Sequence, residues 1–395
     1  MKKKLLIISE VFYPEESATS YFMTGIAKFF AKSYDLSVLT NSRLQHFNEL
    51  NNLDIYRIKS PRFNLNLLGR YLRVFFSTAT LGFKALFLIK KNSIVLVVTN
   101  PPLLPGYIAL ICKIKHAKCI IRVDDLHPDA MVVINKITKN SFFYHLLIYA
   151  FRGLFFLADS LVVLGMDTKR LLVKENPSLK RKIKIIQNWS ETDSVFPMIK
   201  IKSNMAIRLG LTKKFTILIA GNIGYVQGAD TILESMIQLK SFEIHFLFVG
   251  SGSIEGWLRN EVQKHGLTKV YFEGLLPKKQ QNDFLNSCDI ALLALKKGML
   301  GLGVPSRFYN YLAAGKPTIA SVNKKSEIAK DIINEGLGWV VGEDNAIELS
   351  RTILNVSRLP KLELDVISNR CRDFAVSKYS QKKILNKYQS LFEEI

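Results

Sequence analysis

The chain has 395 residues, of which 48% are hydrophobic, and its formal net charge is +22. A chain of this length usually folds around more than one hydrophobic core, so we expect two domains. Its apolar content argues against a disordered chain. The four cysteines form no Cys-x-x-Cys pair and have no His at zinc-ligand spacing. This argues against a disulfide framework or a structural metal, and a reducing cytoplasm fits best.

The first apolar run, Leu5 to Ile8, ends at the polar pair Ser9-Glu10 and is too short for a signal peptide. It predicts a buried strand from Lys4 to Ser9. Three similar runs follow, separated by helical patterns, and this alternation indicates β-α units around a parallel sheet. They are Leu36 to Thr40, Ile94 to Val98 and Cys119 to Val123.

A basic stretch without any Asp or Glu runs from Ile55 to Val123 and should attract anions. Within it, Leu65 to Lys91 mixes aromatic and basic residues in a way that suits a helix in a membrane interface with anionic headgroups. A core helix with a solvated edge explains the same pattern. Asn92 to Cys112 is long enough to span a bilayer, but its prolines favour a strand, a loop and a helix. The basic residues of the stretch are Arg57, Lys59, Arg62, Arg70, Arg73, Lys84, Lys90, Lys91, Lys113, Lys115, Lys118 and Arg122.

The β-α rhythm restarts after residue 213, so the sequence predicts a second α/β domain. We place the domains at residues 1–195 and 205–378, joined by a link near Val195 to Leu211, and we expect residues 379–395 to form a helix that packs back on the first domain. The second domain's predicted strands are Phe215 to Ala220, Ile244 to Val249, Val270 to Phe272, Ile290 to Leu295 and Thr318 to Ser321. Its predicted helices are Ala229 to Leu239, Ile254 to His265 and Gln280 to Ser287.

Three glycine-rich turns in the second half can bring backbone amides close to a diphosphate. Gly221, Asn222 and Gly224 follow one predicted strand, and Gly250 and Gly252 follow another. The third turn, Gly301 to Ser306, leads into a helix. Such glycines also serve backbone geometry alone, so only the three together favour a nucleotide site.

The segment from Val304 to Ala320 resembles the donor-site helix of the group 1 glycosyltransferases, and within them the L-fucosamine-transferase-like enzymes of bacterial O-antigen and colanic acid assembly. Val11 to Glu15 and Asp124 to Asp129 are similar to further segments of that family. The resemblance implies the GT-B arrangement, in which two Rossmann-like α/β domains face each other across a cleft. It also implies that a nucleotide-sugar donor, for which we expect UDP, contacts the second domain. The implied donor residues are Gly221, Asn222, Gly224, Gly250, Gly252, Pro305, Ser306, Arg307, Asn310 and Lys316.

The chain departs from the family pattern at two charged positions of the donor site. Two glutamates separated by seven residues are matched here by Leu302 and Asn310, and Asn310 offers a ribose diol a neutral hydrogen bond instead of a charge-assisted one. Tyr225 and Gln227 stand where many members have Arg and Lys. Charge compensation for the diphosphate would then fall to Arg307, Lys316, Lys296 or Lys297. Arg307 is the preferred clamp, with a plain surface arginine at a helix start as the alternative.

The acceptor side is predicted in the first domain, where Asp124, Asp125, His127 and Asp129 follow a strand, the edge at which α/β sheets place ligands. Asp125 and His127 are the candidate catalytic residues, which would orient or deprotonate an acceptor hydroxyl. A turn whose carboxylates cap the next helix is the plainer interpretation. The resemblance adds Glu15, Ser17 and Thr19, together with Asp129, as acceptor contacts.

The sequence and the resemblance together predict a peripheral glycosyltransferase on the inner face of the plasma membrane. It would move an N-acetylated amino or deoxy sugar to a polyprenyl-diphosphate-linked glycan, with retention. No Asp-x-Asp occurs, so we expect no metal ion and no other cofactor. Alternatives are a sugar-nucleotide epimerase of the same fold and a catalytically impaired paralogue. A nucleic-acid partner is disfavoured because no nucleic-acid module appears.

Overall fold

The computed structural model describes residues 2–41, 53–59 and 67–395, and for residues 67, 68, 70 and 71 only the backbone. The chain divides into two compact units. Unit 1 comprises Met1–Gln187, Gly301–Val304 and Leu385–Ile395, and unit 2 comprises Asn188–Leu300 and Pro305–Ile384. The division therefore falls after Gln187 rather than in the predicted link near Val195, and a short loop from the second half of the chain belongs to unit 1.

Unit 1 is built on a seven-stranded parallel sheet with the order β3-β2-β1-β4-β5-β6-β7. The central strands are runs of aliphatic residues that are buried on both faces, as parallel sheets require. The strands are β1 (Lys4–Ser9), β2 (Asp35–Thr40), β3 (Asp54–Arg57), β4 (Ile94–Val98), β5 (Lys118–Val123), β6 (Ser160–Val163) and β7 (Ile183–Ile185).

In the part of the chain that the structure describes, six helices accompany this sheet. They are α1 (Ala18–Phe30), α2 (Leu67–Leu88), α3 (Leu104–Ile114), α4 (Asp129–Val133), α5 (Phe142–Arg152) and α6 (Met166–Glu175). The window from Asn92 to Cys112 forms β4, a loop and most of α3, which confirms the prediction of a strand, a loop and a helix. Within the described ranges no helix is both long and apolar enough to cross a membrane.

Unit 2 repeats the design with a six-stranded parallel sheet in the order β10-β9-β8-β11-β12-β13. This is the strand order of a Rossmann domain, so the predicted pair of Rossmann-like α/β domains is confirmed. The strands are β8 (Phe215–Ala220), β9 (Ile244–Val249), β10 (Val270–Phe272), β11 (Ile290–Ala294), β12 (Thr318–Ser321) and β13 (Gly338–Val341).

The remaining helices follow in chain order, and they lie in unit 2 as far as Tyr379. They are α7 (Asn204–Arg208), α8 (Ala229–Gln238), α9 (Glu255–Lys264), α10 (Gln281–Leu285), α11 (Arg307–Ala313), α12 (Glu327–Glu335), α13 (Ala346–Ser357), α14 (Lys361–Tyr379) and α15 (Gln381–Glu394). From Leu385 onward α15 belongs to unit 1, where the ring of Phe392 packs 4.7 Å from that of Phe30.

Candidate functional site

The first two glycine turns form one compact structure at the carboxyl edge of the unit 2 sheet. They follow β8 and β9, as predicted. At Gly250, where φ is +139°, a Cβ atom would lie 2.0 Å from the carbonyl oxygen of Gly221. At Gly252 a Cβ atom would lie 2.2 Å from the carbonyl oxygen of Ile223. Only glycine permits this approach, so the two loops present their backbones together.

Arg307 extends its guanidinium over the first of these loops. Its Nη2 donates a hydrogen bond to the carbonyl of Asn222 at 3.1 Å, and a Cβ atom on Gly221 would lie 3.7 Å from its Nε. Among the described residues, no carboxylate forms an ion pair with this guanidinium. A cation with no carboxylate partner beside two glycine loops suits an anionic ligand.

Helix α11 is held against this edge by Tyr311, a residue that the sequence did not single out. Its buried hydroxyl accepts a hydrogen bond from the backbone N–H of Ala220 at 2.8 Å. Arg307 begins α11, and Asn310 lies one turn further along the same face, half-buried. Pro305 and Ser306 come directly before the helix and are also half-buried. The structure thus brings Arg307 to Gly221 and Asn222, with Asn310 on the same helix.

Lys316 does not join this group, which corrects its prediction as a donor residue. Its buried Nζ lies 3.2 Å from the carbonyl oxygen of Cys288, which precedes β11, and Lys316 itself precedes β12. Both positions are at the amino edge of the parallel sheet, opposite the glycine loops. Proximity to the donor helix in sequence did not mean proximity in space.

The third glycine turn also differs from its prediction, because Gly301–Val304 belongs to unit 1. Its residues pair with the segment that follows β5: Leu126 N–H donates to the carbonyl of Leu302 at 2.9 Å. A Cβ atom on Gly303 would lie 2.8 Å from Oδ1 of Asp125. The turn therefore abuts the candidate catalytic segment instead of forming a glycine loop of the unit 2 sheet.

A hydrogen-bonded network holds the backbone of Asp124 and Asp125, which follow β5, and the carboxylate of Asp124. The Nε of Arg122 lies 2.7 Å from Oδ1 of Asp124, and its Nη1 lies 2.7 Å from the hydroxyl of Tyr388 in α15. Thr99 Oγ1 accepts from the backbone N–H of Asp124 at 3.1 Å and from that of Asp125 at 3.4 Å. Sequence reasoning missed Thr99 and Tyr388. It counted Arg122 in the basic stretch that should attract anions, and this is corrected because Arg122 is fully buried in β5 and paired with Asp124.

Asp125 and His127 line one small pocket, together with Thr99, Phe151, Arg152 and Phe155 among others. The side chain of Asp125 is exposed at its outer edge, and its carboxyl lies against the residues that line the pocket. The resulting desolvation, with the charge of Asp124 second, raises the pKa of Asp125 to about 6. Desolvation, followed by the charge of Arg152, lowers the pKa of His127. The pocket thus combines a carboxyl group whose pKa is raised with an imidazole whose pKa is lowered.

Two of the predicted acceptor residues make structural hydrogen bonds. Asp129 is buried, bonded to Arg152 Nη2 at 2.5 Å and to the hydroxyl of Tyr144 at 2.8 Å, so its carboxylate is occupied. Ser17 caps α1, accepting from the backbone N–H of Ser20 at 3.1 Å. The buried contacts of Asp129 correct its prediction, whereas Ser17 is exposed and its acceptor contact stays a prediction.

The other two predicted acceptor residues lie in different surroundings. The hydroxyl of Thr19 lies 3.5 Å from Oδ2 of Asp124, which places Thr19 beside the catalytic candidates. Glu15 acts electrostatically on Glu10 and Arg57, near the ends of β1 and β3. Thr19 therefore lies beside the residue that precedes Asp125.

Residues 202–372 match the family model described as glycosyl transferases group 1. The probable glycosyltransferase WbjE of Pseudomonas aeruginosa is 32% identical over 335 residues, which cover 84% of this chain and 82% of that protein. The chain belongs to the group 1 glycosyltransferase family. A second relative is WcaI of Escherichia coli, a putative colanic acid biosynthesis glycosyl transferase. The chain is 25% identical to WcaI over 246 residues, which cover 61% of this chain and 60% of that protein.

Solved structures confirm the fold of this glycosyltransferase. HepE from Anabaena, crystallised with UDP and glucose, superimposes with a TM-score of 0.71 at 13% identity over 100% of both chains. WaaG, a glycosyltransferase involved in lipopolysaccharide biosynthesis, gives a TM-score of 0.71 at 13% identity, covering 97% of this chain and 98% of that one.

Proposed function

We propose that this glycosyltransferase takes its sugar from a UDP-linked donor bound by unit 2. The observation that carries the proposal is Arg307, whose guanidinium lies over Gly221 with no carboxylate partner among the described residues. A diphosphate there would accept hydrogen bonds from the guanidinium and from the backbone amides of the glycine loops. The similarity of fold to HepE, which was crystallised with UDP and glucose, supports uridine as the nucleoside.

The acceptor in this proposal is a glycan linked to polyprenyl diphosphate, and the product is a bacterial surface polysaccharide such as O-antigen or capsule. Similarity to WcaI, described as a colanic acid biosynthesis enzyme, supports this pathway class. The resemblance to L-fucosamine-transferase-like enzymes supports an N-acetylated amino or deoxy sugar as the group transferred, with retention of configuration at its anomeric carbon.

In the proposed reaction the acceptor oxygen bonds to the anomeric carbon while the bond from that carbon to the diphosphate oxygen breaks. The nucleoside diphosphate leaves with the electron pair, and the acceptor's proton passes to the carboxylate of Asp125. Thr99 holds the backbone at Asp125, and the neutral imidazole of His127 orients the acceptor hydroxyl. Charge that develops on the leaving diphosphate is balanced by Arg307 and backbone amides.

We propose that no metal ion takes part. Within the described part of the chain, no group of three or more His, Cys, Asp or Glu side chains is arranged to hold a metal ion. The charge of the leaving diphosphate then depends on Arg307. EDTA should leave the transfer rate unchanged, whereas a rate restored only by added Mg²⁺ or Mn²⁺ would overturn this part of the proposal.

We propose that unit 1 associates with anionic membranes through α2. Leu81 and Ala85 are buried, which agrees with a helix packed on the core, but Phe75 is 59% and Phe83 64% exposed, and Lys84 is exposed beside them. An outer face of aromatic and basic residues favours headgroup attraction. Residues 65 and 66, Arg62, and the side chains of Arg70 and Tyr71 lie outside the described residues.

The donor assignment is tested by titration calorimetry with UDP, ADP and GDP in EDTA. We expect UDP to bind most tightly and its affinity to fall in Arg307→Ala. Equal affinities for the three nucleotides would contradict the assignment of uridine. Binding of UDP with no sugar consumed from any donor in a panel would favour the impaired paralogue over an active transferase.

A further inference from the structure

Helix α5 carries an exposed apolar stripe that the proposed function does not use. Phe142 is 83%, Leu146 49% and Tyr149 74% exposed. Residues at i, i+4 and i+7 lie on one face of a helix, so these three side chains form a continuous stripe, and Phe143 widens it. A contiguous exposed apolar surface of this kind marks a place where a protein meets a partner.

The outward direction of the stripe is fixed by polar bonds on the opposite face of the helix. The hydroxyl of Tyr144 bonds to Asp129, and the guanidinium of Arg152 bonds to Asp129 and, at 2.8 Å, to Glu175. Tyr144 and Arg152 are buried. Turning the stripe inward would break a buried ion pair, which is strongly unfavourable, so α5 keeps its aromatic residues in the solvent.

The charges around α5 identify the chemistry of its partner. No Asp or Glu occurs between Asp129 and Asp159, while Lys136 and Lys139 are exposed just before the helix begins. The neighbouring helix α3 contacts both α5 and α2 and adds an apolar stripe of its own, with Ile114 69% exposed. Glu175, the carboxylate that approaches α5 from α6, is paired with Arg152 and lies near Lys139. An exposed apolar stripe with lysines at its border complements an anionic lipid bilayer.

The inner face of α5 forms a wall of the candidate catalytic pocket. Phe151 and Arg152, together with Phe155 just after the helix, line the pocket that contains Asp125 and His127. One helix therefore presents an apolar stripe outward and pocket residues inward. A bilayer that received the stripe would contact the same helix that lines the pocket.

We propose that α5 inserts Phe142, Leu146 and Tyr149 into the hydrocarbon boundary of the membrane, and so sets the pocket of Asp125 at the level of lipid headgroups. This goes beyond headgroup attraction by α2, because insertion of apolar side chains resists salt. The inference rests on the proposed function only for the identity of the acceptor as a lipid. The insertion itself is independent of donor and acceptor.

Insertion is tested directly with Phe142→Trp and vesicles of phosphatidylcholine and phosphatidylglycerol that contain brominated acyl chains. We expect blue-shifted emission that bromine quenches, whereas Leu362→Trp, a control on the exposed face of α14 in unit 2, should show neither effect. The natural residues Trp189, Trp257 and Trp339 all belong to unit 2 and give the background. An unquenched Trp at position 142 would overturn the proposal.

The energetic contribution of the stripe is tested by vesicle flotation in 1 M NaCl, where headgroup attraction is screened. The double variant Phe142→Ser and Tyr149→Ser should lower the partition coefficient about tenfold or more. The control Leu362→Ser and Val366→Ser removes exposed apolar side chains from unit 2 and should bind as the wild type does. Equal loss in both variants would contradict insertion through α5.

Two further measurements separate this proposal from its competitors. If the stripe instead covers a second copy of the chain, light scattering without lipid will show a dimer that Phe142→Ser dissociates, and that result would overturn the proposal.

The double serine variant should transfer sugar normally to a short-chain, water-soluble acceptor and slowly to the same glycan in vesicles. Vesicle binding without any transfer would sink the proposed function while leaving the insertion intact.

Discussion

The guanidinium of Arg122, which is completely buried in β5, forms an ion pair with the carboxylate of Asp124, with 2.7 Å between Nε and Oδ1. The same guanidinium donates to the hydroxyl of Tyr388 at 2.7 Å, across 266 residues of sequence. Because Asp124 precedes the candidate base Asp125, the last helix of the chain supports the catalytic segment within unit 1. The role of Tyr388 can be measured separately from catalysis.

Removing the Tyr388 hydroxyl with Tyr388→Phe should lower the free energy of unfolding by about 1 to 2 kcal/mol, because a buried charged donor loses its partner. Urea unfolding followed by circular dichroism measures this change. Tyr149→Phe removes a hydroxyl from an exposed ring and should change stability by less than about 0.5 kcal/mol. Equal stability of the two variants would show that the bond to Arg122 contributes little.

The pH dependence of transfer should report Asp125. Its pKa is raised to about 6 by desolvation, so the carboxyl is protonated below that pH and cannot accept a proton. We expect kcat to rise with pH to a plateau, with its midpoint near pH 6. Asp125→Asn should lower kcat by about a hundredfold or more and remove this limb. A profile that keeps its midpoint in Asp125→Asn would assign the ionisation to another group.

Arg307→Ala should weaken UDP binding by about tenfold or more, because a charge-assisted hydrogen bond contributes roughly 1.5 to 3 kcal/mol. The matched control is Arg259→Ala, which removes an exposed guanidinium from α9 of the same unit, where it pairs with Glu255. Calorimetry should find the control unchanged. Equal affinity of both variants would remove Arg307 from the donor site.

The two glycines of one segment should differ sharply in their tolerance of alanine. A Cβ atom on Gly252 would lie 2.2 Å from the carbonyl oxygen of Ile223, so Gly252→Ala must displace the loop and should reduce both stability and UDP affinity. A methyl group on Gly256, in α9, would meet no atom within 4 Å, and Gly256→Ala should stabilise the protein by up to about 1 kcal/mol. Thermal unfolding with and without UDP compares the two variants.

Much of the fold could be predicted from local pattern, because the central strands are mostly apolar runs between helical segments. Strands β3, β6, β7 and β13 were missed. Most residues of β3 and β13 are half-buried or exposed and lack that pattern, whereas β6 and β7 are too short to give a distinct apolar run. The glycine loops and Arg307 could be predicted as an anion site. Small residues after strands expose backbone amides, and a cation at the start of a helix attracts negative charge.

The remaining site could not be predicted because it depends on contacts between distant segments. Lys316 and Asp129 have the right chemistry in the right sequence neighbourhood, but one faces the amino edge of its sheet and the other is consumed by Arg152. The pairing of Gly303 with Asp125 joins segments that no local signal connects. Site residues that act within one segment of the chain could be predicted. Site residues that depend on contact between two distant segments could not.

The most direct test of the account is sugar transfer itself. Purified protein, with EDTA present, is incubated with a panel of radiolabelled UDP-sugars and vesicles that contain a polyprenyl-diphosphate-linked sugar, and the label is followed into the lipid extract. We expect one UDP-sugar to label a lipid-linked glycan longer by one residue, and Arg307→Ala and Asp125→Asn to lose most of that label. If no UDP-sugar labels the lipid while the water-soluble form of the same acceptor also stays unlabelled, the account is contradicted.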